Sequence, residues 1–176
     1  MLKAAFLDRD GVINVDSGYV YRWEDFAFLP GAVGAMRRLA AAGYALVVVT
    51  NQSGIARGLY TEPQYGALTA QLRQALAAEG VPLAAVYHCP HLPGGSVAAY
   101  ARDCDCRKPA PGMLLRAQQD LGIDMAASLM VGDKPSDIEA ARTAGVGRAY
   151  LVGGAQAPAD GHFADLAACV DALVPA

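Results

Sequence analysis

Two carboxylates separated by one residue follow the first apolar run of the chain, in Asp8-Arg9-Asp10-Gly11. If that run is a strand, residues two apart point to the same side and the two carboxylates converge. Like charges this close raise each other's pKa unless a cation neutralises them. Mg²⁺ suits such oxygen ligands, because it binds through one or two carboxylates plus water and substrate phosphate. The pattern predicts a magnesium site for a phosphate group or, on these residues alone, a solvated acidic turn.

Three later segments carry polar side chains that could serve the same site. Thr50-Asn51 offers a hydroxyl and an amide that can donate to phosphate oxygens. Arg107-Lys108 supplies cations that could balance an anionic transition state. Gly132-Asp133-Lys134 adds a third carboxylate, and Asp137 beyond it could instead stabilise a helix N-terminus. Each segment taken alone could also be an ordinary solvated strand end or basic dipeptide.

Three of the four cysteines lie close together in the sequence, at Cys89, Cys104 and Cys106, with His91 among them. Three thiolates and one imidazole form a set of four ligands suited to tetrahedral Zn²⁺. A zinc ion with four protein ligands has no open position, so this site would be structural and would pin the loop that carries it. The alternatives are free thiols or a Cys104-Cys106 disulfide.

The surrounding sequence alternates β-prone apolar runs with segments of helical period, which is typical of a parallel sheet covered by helices on both faces. Strands are predicted at residues 3–7, 44–49, 85–88, 128–131 and 148–152, and helices at 30–42, 61–80, 112–121, 135–144 and 163–173. Ligands of such sheets bind at the carboxyl ends of the strands, where the strand order reverses. If the first strand is central, with the second and third strands on one side and the fourth on the other, Asp8 and Asp133 flank that reversal.

Composition limits the class of protein further. The chain has 176 residues, 54% of them apolar, with a formal charge of −3, which suits one globular domain and argues against a nucleic-acid binder. The N-terminal segment lacks the apolar stretch of a signal peptide, and no run reaches membrane-spanning length, so we expect a cytoplasmic protein. Segments 10–30 and 89–108 are too short to form a cap domain. We therefore expect one domain over 1–176 with a zinc-binding loop at 89–108.

The chain resembles the haloacid dehalogenase (HAD) superfamily of phosphatases, whose four motifs are matched by Asp8-Arg9-Asp10-Gly11, Thr50, Lys108 and Gly132-Asp133. Four longer segments resemble the D-glycero-heptose 1,7-bisphosphate phosphatases within it, at residues 7–11, 47–57 (VVVTNQSGIAR), 89–91 and 104–109. The similarity covers nearly all of residues 4–152. It implies a Rossmann-like three-layer α/β sandwich with a central parallel sheet and no separate cap domain.

The resemblance also implies residue roles. Asp8 would be the nucleophile, and Asp10 the acid that protonates the leaving oxygen and then activates water. Mg²⁺ would be held by the Asp8 carboxylate, the Asp10 backbone carbonyl and Asp133. Catalysis would further use Thr50, Lys108 and Arg107, and the neighbours of the substrate or metal would be Asp16, Tyr19, Asn51, Gln52, Ser53, Arg107, Lys108 and Lys134. Ser17 stands where some family members have histidine, which affects the expected shape of the sugar pocket.

The activity implied by the resemblance is removal of the 7-phosphate of D-glycero-D-manno-heptose 1,7-bisphosphate through an aspartyl-phosphate, in nucleotide-activated heptose biosynthesis. The expected partner is this small sugar bisphosphate, with no nucleic acid or membrane, and the expected state is a monomer. Alternatives are a phosphatase for histidinol phosphate, another sugar phosphate or a nucleic-acid end, or a non-catalytic zinc-stabilised module that chelates Mg²⁺. A pure binding module has no need of a nucleophile, an acid and a cation at three separate strand ends.

Overall fold

The computed structural model describes residues 1–175 and contains one six-stranded sheet. Its strands are β1 (Ala4–Leu7), β2 (Ala45–Asn51), β3 (Ala85–Cys89), β4 (Leu129–Gly132), β5 (Arg148–Val152) and β6 (Gly161–Phe163). They are all parallel, in the order β3-β2-β1-β4-β5-β6. The central position of β1 and the reversal between its two neighbours confirm the predicted order of the first four strands. β6 was not predicted, because a three-residue strand has no periodicity to reveal it.

Within residues 1–175, four α-helices connect strands and a fifth follows β6: α1 (Ala32–Ala41), α2 (Glu62–Ala78), α3 (Gly112–Leu121), α4 (Pro135–Thr143) and α5 (Leu166–Leu173). All five were predicted to within a few residues. α2 begins after Thr61, whose side chain accepts from the Gln64 backbone N–H while the Gln64 side chain accepts from the Thr61 N–H. A threonine and a glutamine three positions apart are the residues that such a reciprocal cap requires, so the local sequence itself fixes the start of α2.

Side chains of the strands alternate between two buried faces. On β1, Ala5 and Leu7 pack with α1, α5 and the second half of α2, whereas Ala4 and Phe6 pack with α3 and α4. A parallel sheet buried on both sides needs apolar residues at successive positions, which explains the continuous apolar runs in the sequence. The fold is therefore the three-layer α/β sandwich that was predicted.

Two irregular connections lie beside the carboxyl ends of the strands. One joins β1 to α1 and contains only a short 3₁₀ turn (Trp23–Asp25), and the other joins β3 to α3 through residues 90–111. Long irregular segments in a compact fold are usually functional. Within residues 1–175, the helices are all too short or too polar to cross a membrane.

Candidate active site

Asp8 and Asp133 lie at the ends of the two adjacent strands where the strand order reverses. The Asp8 backbone N–H donates to the Val131 carbonyl (3.2 Å), so the pairing of β1 with β4 continues up to the carboxylate. Carboxylate oxygens of Asp8, Asp133 and Asp137 all lie within 4.8 Å of one another. Gly11 permits this approach, because it has φ +84° and a Cβ there would lie 2.2 Å from Asp133 Oδ2.

Lys108 is the buried cation of this group. Its ammonium group contacts Asp8 Oδ1 at 3.1 Å and Asp137 Oδ1 at 2.6 Å, and donates to the Val49 carbonyl at 2.8 Å. Asn51 holds the Lys108 backbone from both sides, accepting from its N–H (3.0 Å) and donating to its carbonyl (3.1 Å). Although burial by itself lowers the pKa of Lys108, the two carboxylates raise it to about 12. Lys108 is thus a fixed positive charge beside Asp8.

Asp137 joins the base of the site to the start of α4. Its Oδ2 accepts from the backbone N–H groups of Asp133 and Lys134, both at 3.1 Å, while Oδ1 pairs with Lys108. The sequence suggested a helix-dipole role for Asp137, and the structure adds the ion pair. Gly132 leaves the space for it, since a Cβ there would lie 2.2 Å from the Asp137 Cβ.

The electrostatics of these carboxylates favour a divalent cation. Burial is the main cause that raises the pKa of Asp8 well above its usual value, and Asp137, Asp133 and Asp10 raise it further against the opposing effect of Lys108. Burial and Asp137 also raise the pKa of Asp133. Among residues 1–175, the buried Asp133 Oδ1 finds no hydrogen-bond donor. Oxygen ligands with surplus negative charge and an unpaired oxygen fit Mg²⁺.

The Asp10 side chain is held by a different set of partners. Its Oδ1 accepts from Arg9 Nε (3.1 Å), Arg9 Nη2 (3.0 Å) and Asn14 Nδ2 (2.9 Å), whereas Oδ2 accepts from Gln52 Nε2 (3.2 Å). Arg9 is almost fully buried and also donates to the Val20 carbonyl (2.7 Å). Sequence reasoning missed Arg9 and Asn14, because nothing in their type or spacing shows that they face Asp10.

Thr50 lies behind Gln52 at the end of β2. Thr50 has no exposed surface, and its Oγ1 accepts from Gln52 Nε2 at 2.9 Å. The Gln52 side-chain oxygen in turn accepts from the hydroxyl of Tyr60, a residue that the sequence did not single out. Gln52 was expected to touch the substrate, and the structure shows that its amide is engaged with the protein as well.

A cavity of about 640 Å³ opens above these groups. All eight residues predicted to bind substrate line it: Asp16, Tyr19, Asn51, Gln52, Ser53, Arg107, Lys108 and Lys134. Asp8, Asp10 and Asp137 lie at the same cavity, as does the exposed Arg57, whose guanidinium is 5.8 Å from the Tyr19 ring centre. Cations from three separate segments therefore surround the carboxylates, which suits an anionic ligand.

The second predicted cluster also comes together, next to the first. Cys89 Sγ lies 3.6 Å from His91 Nδ1, 3.6 Å from Cys104 Sγ and 3.1 Å from Cys106 Sγ, and His91 Nδ1 lies 3.3 Å from Cys106 Sγ. Tetrahedral Zn²⁺ with bonds of ~2.3 Å to sulfur and ~2.0 Å to nitrogen separates its ligands by about 3.5–3.8 Å. The four separations given above lie within or slightly below this range, so the arrangement fits zinc. The cysteines are free, so the disulfide alternative is not formed.

Two members of this cluster, His91 and Cys104, shift toward their metal-binding protonation states, whereas burial raises the pKa of Cys89 and of Cys106. Burial and the Arg102 guanidinium lower the pKa of His91, favouring the neutral ring that ligates metals. Burial raises the pKa of Cys104, but N–H donors, first that of Arg107 at 3.3 Å, bring it below its ordinary value. Arg107 directly precedes Lys108, and the Cys89 carbonyl accepts from the Gln52 N–H (2.8 Å). The cluster is thereby connected to two segments of the cavity wall.

Comparisons with known proteins agree on one family. Residues 105–174 match the HAD-hydrolase-like family. Over 151 residues the chain is 55% identical to a D-glycero-β-D-manno-heptose-1,7-bisphosphate 7-phosphatase of Yersinia pestis, which covers 86% of this chain and 80% of the relative. It is 45% identical over the same length to the α-anomer enzyme of Photorhabdus laumondii, covering 86% and 82%. The D,D-heptose 1,7-bisphosphate phosphatase of B. bronchiseptica, solved with magnesium and phosphate, superposes with a TM-score of 0.85 at 35% identity over 98% of both chains.

Proposed function

The chain belongs to the heptose 1,7-bisphosphate phosphatase family of HAD-like hydrolases, and we propose that it removes the 7-phosphate of D-glycero-β-D-manno-heptose 1,7-bisphosphate. The observation that carries this proposal is the Asp8 carboxylate, which is paired with the buried Lys108 at a cation-lined cavity. The β anomer is preferred in the proposal because the relative named for it is more similar than the one named for the α anomer.

Asp8 is the proposed nucleophile. One of its oxygens bonds to phosphorus as the bond from phosphorus to the sugar oxygen breaks, and Asp10 gives its proton to that leaving oxygen. Asp10 then takes a proton from a water molecule that attacks the aspartyl-phosphate, releasing orthophosphate and restoring Asp8. Lys108 and the Arg9 N–H, which donates to Asp8 Oδ1 at 2.8 Å, favour the ionised form of the nucleophile and oppose the burial that raises its pKa.

The remaining groups of the site position the phosphoryl group and offset its charge. Mg²⁺, held by Asp8, the Asp10 backbone carbonyl and Asp133, would neutralise part of the negative charge that gathers there. The fixed cation of Lys108 faces the transferring group from the protein side. The buried Thr50 hydroxyl would act through Gln52, whose Nε2 donates to it at 2.9 Å. Asp137 keeps Lys108 in place through the 2.6 Å ion pair.

The non-reacting phosphate is assigned to the remaining cations of the cavity. Arg107, Lys134 and Arg57 also line the cavity, and they are the cations that remain once Lys108 is paired with Asp8. A guanidinium can grip a phosphate with two parallel hydrogen bonds, so Arg107 is the proposed main contact. The neutral donors Asn51 and Ser53 line the same cavity.

Cys89, His91, Cys104 and Cys106 are proposed to hold a structural Zn²⁺ that pins the loop at 89–108. Four ligands leave no position for substrate, and the loop carries Arg107 and Lys108 to the cavity. We assign the whole chain to a single catalytic domain without a cap, acting as a monomer. The reducing cytoplasm, the proposed location, keeps such thiols available to metal.

The assay that tests this proposal compares kcat/KM for orthophosphate release across several substrates. The panel holds both anomers of the heptose bisphosphate, fructose 1,6-bisphosphate, histidinol phosphate and a 3′-phosphorylated oligonucleotide. We expect the β-heptose bisphosphate to be preferred, and EDTA to abolish turnover. A wide margin for histidinol phosphate or the oligonucleotide would contradict the substrate, and no phosphate release from any ester would contradict the enzyme and favour a binding module.

A further inference from the structure

Tyr60 is a buried tyrosine beside the site that the reaction above does not use. Only 4% of it is exposed, and its ring stacks on Tyr21 with ring centres 5.3 Å apart. Gly54 leaves room for the ring, because a Cβ there would lie 2.1 Å from Tyr60 Cε1. The hydroxyl reaches inward and donates to Gln52 Oε1. The surrounding chain therefore holds this hydroxyl in one place.

The hydroxyl decides which way the Gln52 amide points. With Oε1 engaged by Tyr60, the Nε2 group faces the opposite side and donates to Asp10 Oδ2 (3.2 Å) and Thr50 Oγ1 (2.9 Å). Turning the amide over would place Oε1 against the Asp10 carboxylate, where two acceptors repel. Gln52 is 2% exposed, so an Oε1 without its donor would find little water to replace it.

The two oxygens of Asp10 consequently have different surroundings. Oδ1 accepts three hydrogen bonds from Arg9 and Asn14, whereas Oδ2 accepts one, from Gln52. Oδ2 therefore has the free lone pair that can carry a proton. Because the Gln52 N–H occupies one side of Oδ2, a proton bound to Oδ2 points to the other side. Asp10 lines the cavity, so this other side is where the substrate is expected.

We propose that Tyr60 is a positioning residue: its hydroxyl holds the Gln52 amide with the N–H toward Asp10, so that the Asp10 O–H points at the leaving oxygen. The proposal rests on the proposed function, because it requires that Asp10 protonates a leaving group. Tyr60 acts through Gln52. Without the hydroxyl, the amide is free to turn and to accept the proton that the leaving oxygen needs.

The test uses Tyr60→Phe and two phosphate esters whose leaving groups differ in their need for a proton. The leaving group of glycerol phosphate is an alkoxide, so its hydrolysis depends on the acid. The leaving group of 4-nitrophenyl phosphate is a stable phenolate, which needs no proton. We expect kcat/KM to fall about tenfold for glycerol phosphate, which is a part of the roughly 10²–10⁴-fold that a positioned acid supplies, and less than about twofold for the aryl ester. The ratio of the two values does not depend on the fraction of folded enzyme.

Two further variants separate positioning from a structural effect. Tyr65→Phe is the matched control, since Tyr65 is equally buried in the same cluster but packs at a tilt against His88, with ring centres 4.1 Å apart. It should leave the ratio unchanged. In Gln52→Leu, adding Tyr60→Phe should change the ratio no further, because the residue that transmits the effect is already gone.

The outcomes are distinguishable. Equal losses on both esters in Tyr60→Phe, no loss on either, or an additive effect in the double variant would overturn the inference and leave the phosphatase intact. A wild-type enzyme that hydrolyses neither ester nor the sugar bisphosphate would contradict the proposed function, and the inference would fall with it.

Discussion

Replacing Lys108 with methionine tests the central ion pair of the site. The ammonium group lies 3.1 Å from Asp8 and 2.6 Å from Asp137, with the lysine side chain 2% exposed. Methionine keeps the apolar stem but leaves two buried carboxylates without their shared cation. Removing one partner of a buried ion pair costs about 3–5 kcal/mol. For a chain of this length, that corresponds to a Tm lowered by roughly 6–20 °C.

Two conditions should reduce this loss of stability if its cause is electrostatic. Burial already raises the pKa of Asp8, and loss of Lys108 raises it further. A carboxyl that binds its proton more tightly in the folded chain than in the unfolded chain stabilises the fold as pH falls, so the Tm deficit should be smaller near pH ~5 than near pH ~8. Added Mg²⁺ should also restore part of the Tm, because the proposed magnesium site exists only in the folded chain.

Thermal unfolding of Lys108→Met and wild type, with and without Mg²⁺ at both pH values, makes the measurement. Lys134→Met is the matched control, since Lys134 is an exposed lysine at the same cavity and its loss should change stability by ~0.5 kcal/mol or less. The reasoning is refuted if the Tm deficit of Lys108→Met is no larger than that of Lys134→Met, or if it changes with neither pH nor Mg²⁺.

Three further substitutions address the nucleophile, the metal and the zinc loop. Asp8→Asn should lower phosphate release by at least roughly 10³-fold, without lowering the Tm, because burial already disfavours the charged form of Asp8; near-wild-type turnover would exclude Asp8 as the nucleophile. Gly11→Ala should raise the Mg²⁺ concentration needed for half-maximal activity at least about tenfold. The φ of +84° and the 2.2 Å approach to Asp133 Oδ2 leave no room for a methyl group. A wild-type Mg²⁺ dependence of the rate would argue against Asp133 as a ligand. Cys104→Ser should lose zinc on elemental analysis and lower the Tm, whereas Cys169→Ser, at a buried cysteine outside the cluster, should keep one zinc per chain. Equal zinc contents in the two serine variants would contradict the ligand assignment.

Much of the fold could be read from local sequence. The apolar runs of β1, β2, β4 and β5 and the capped start of α2 were recognisable because strand and helix signals depend on neighbouring residues. The two clusters were recognisable for a related reason. Asp8 with Asp10, and Cys104 with Cys106, are pairs of potential metal ligands only two positions apart in the sequence. Their partners follow other strands at the same end of the parallel sheet.

Tertiary structure alone decided how these side chains are connected. The pairing of Lys108 with Asp137, the grip of Arg9 and Asn14 on Asp10, and the contact of Tyr60 with Gln52 depend on the path of each loop. Sequence spacing cannot report such contacts, because a loop has no repeat that fixes the direction of its side chains. The residue types needed for the chemistry are therefore visible in the chain itself. Packing decides which oxygen of Asp10 keeps a free lone pair and which cation is buried beside Asp8. The reason is that burial removes the water that would otherwise satisfy every polar group equally well.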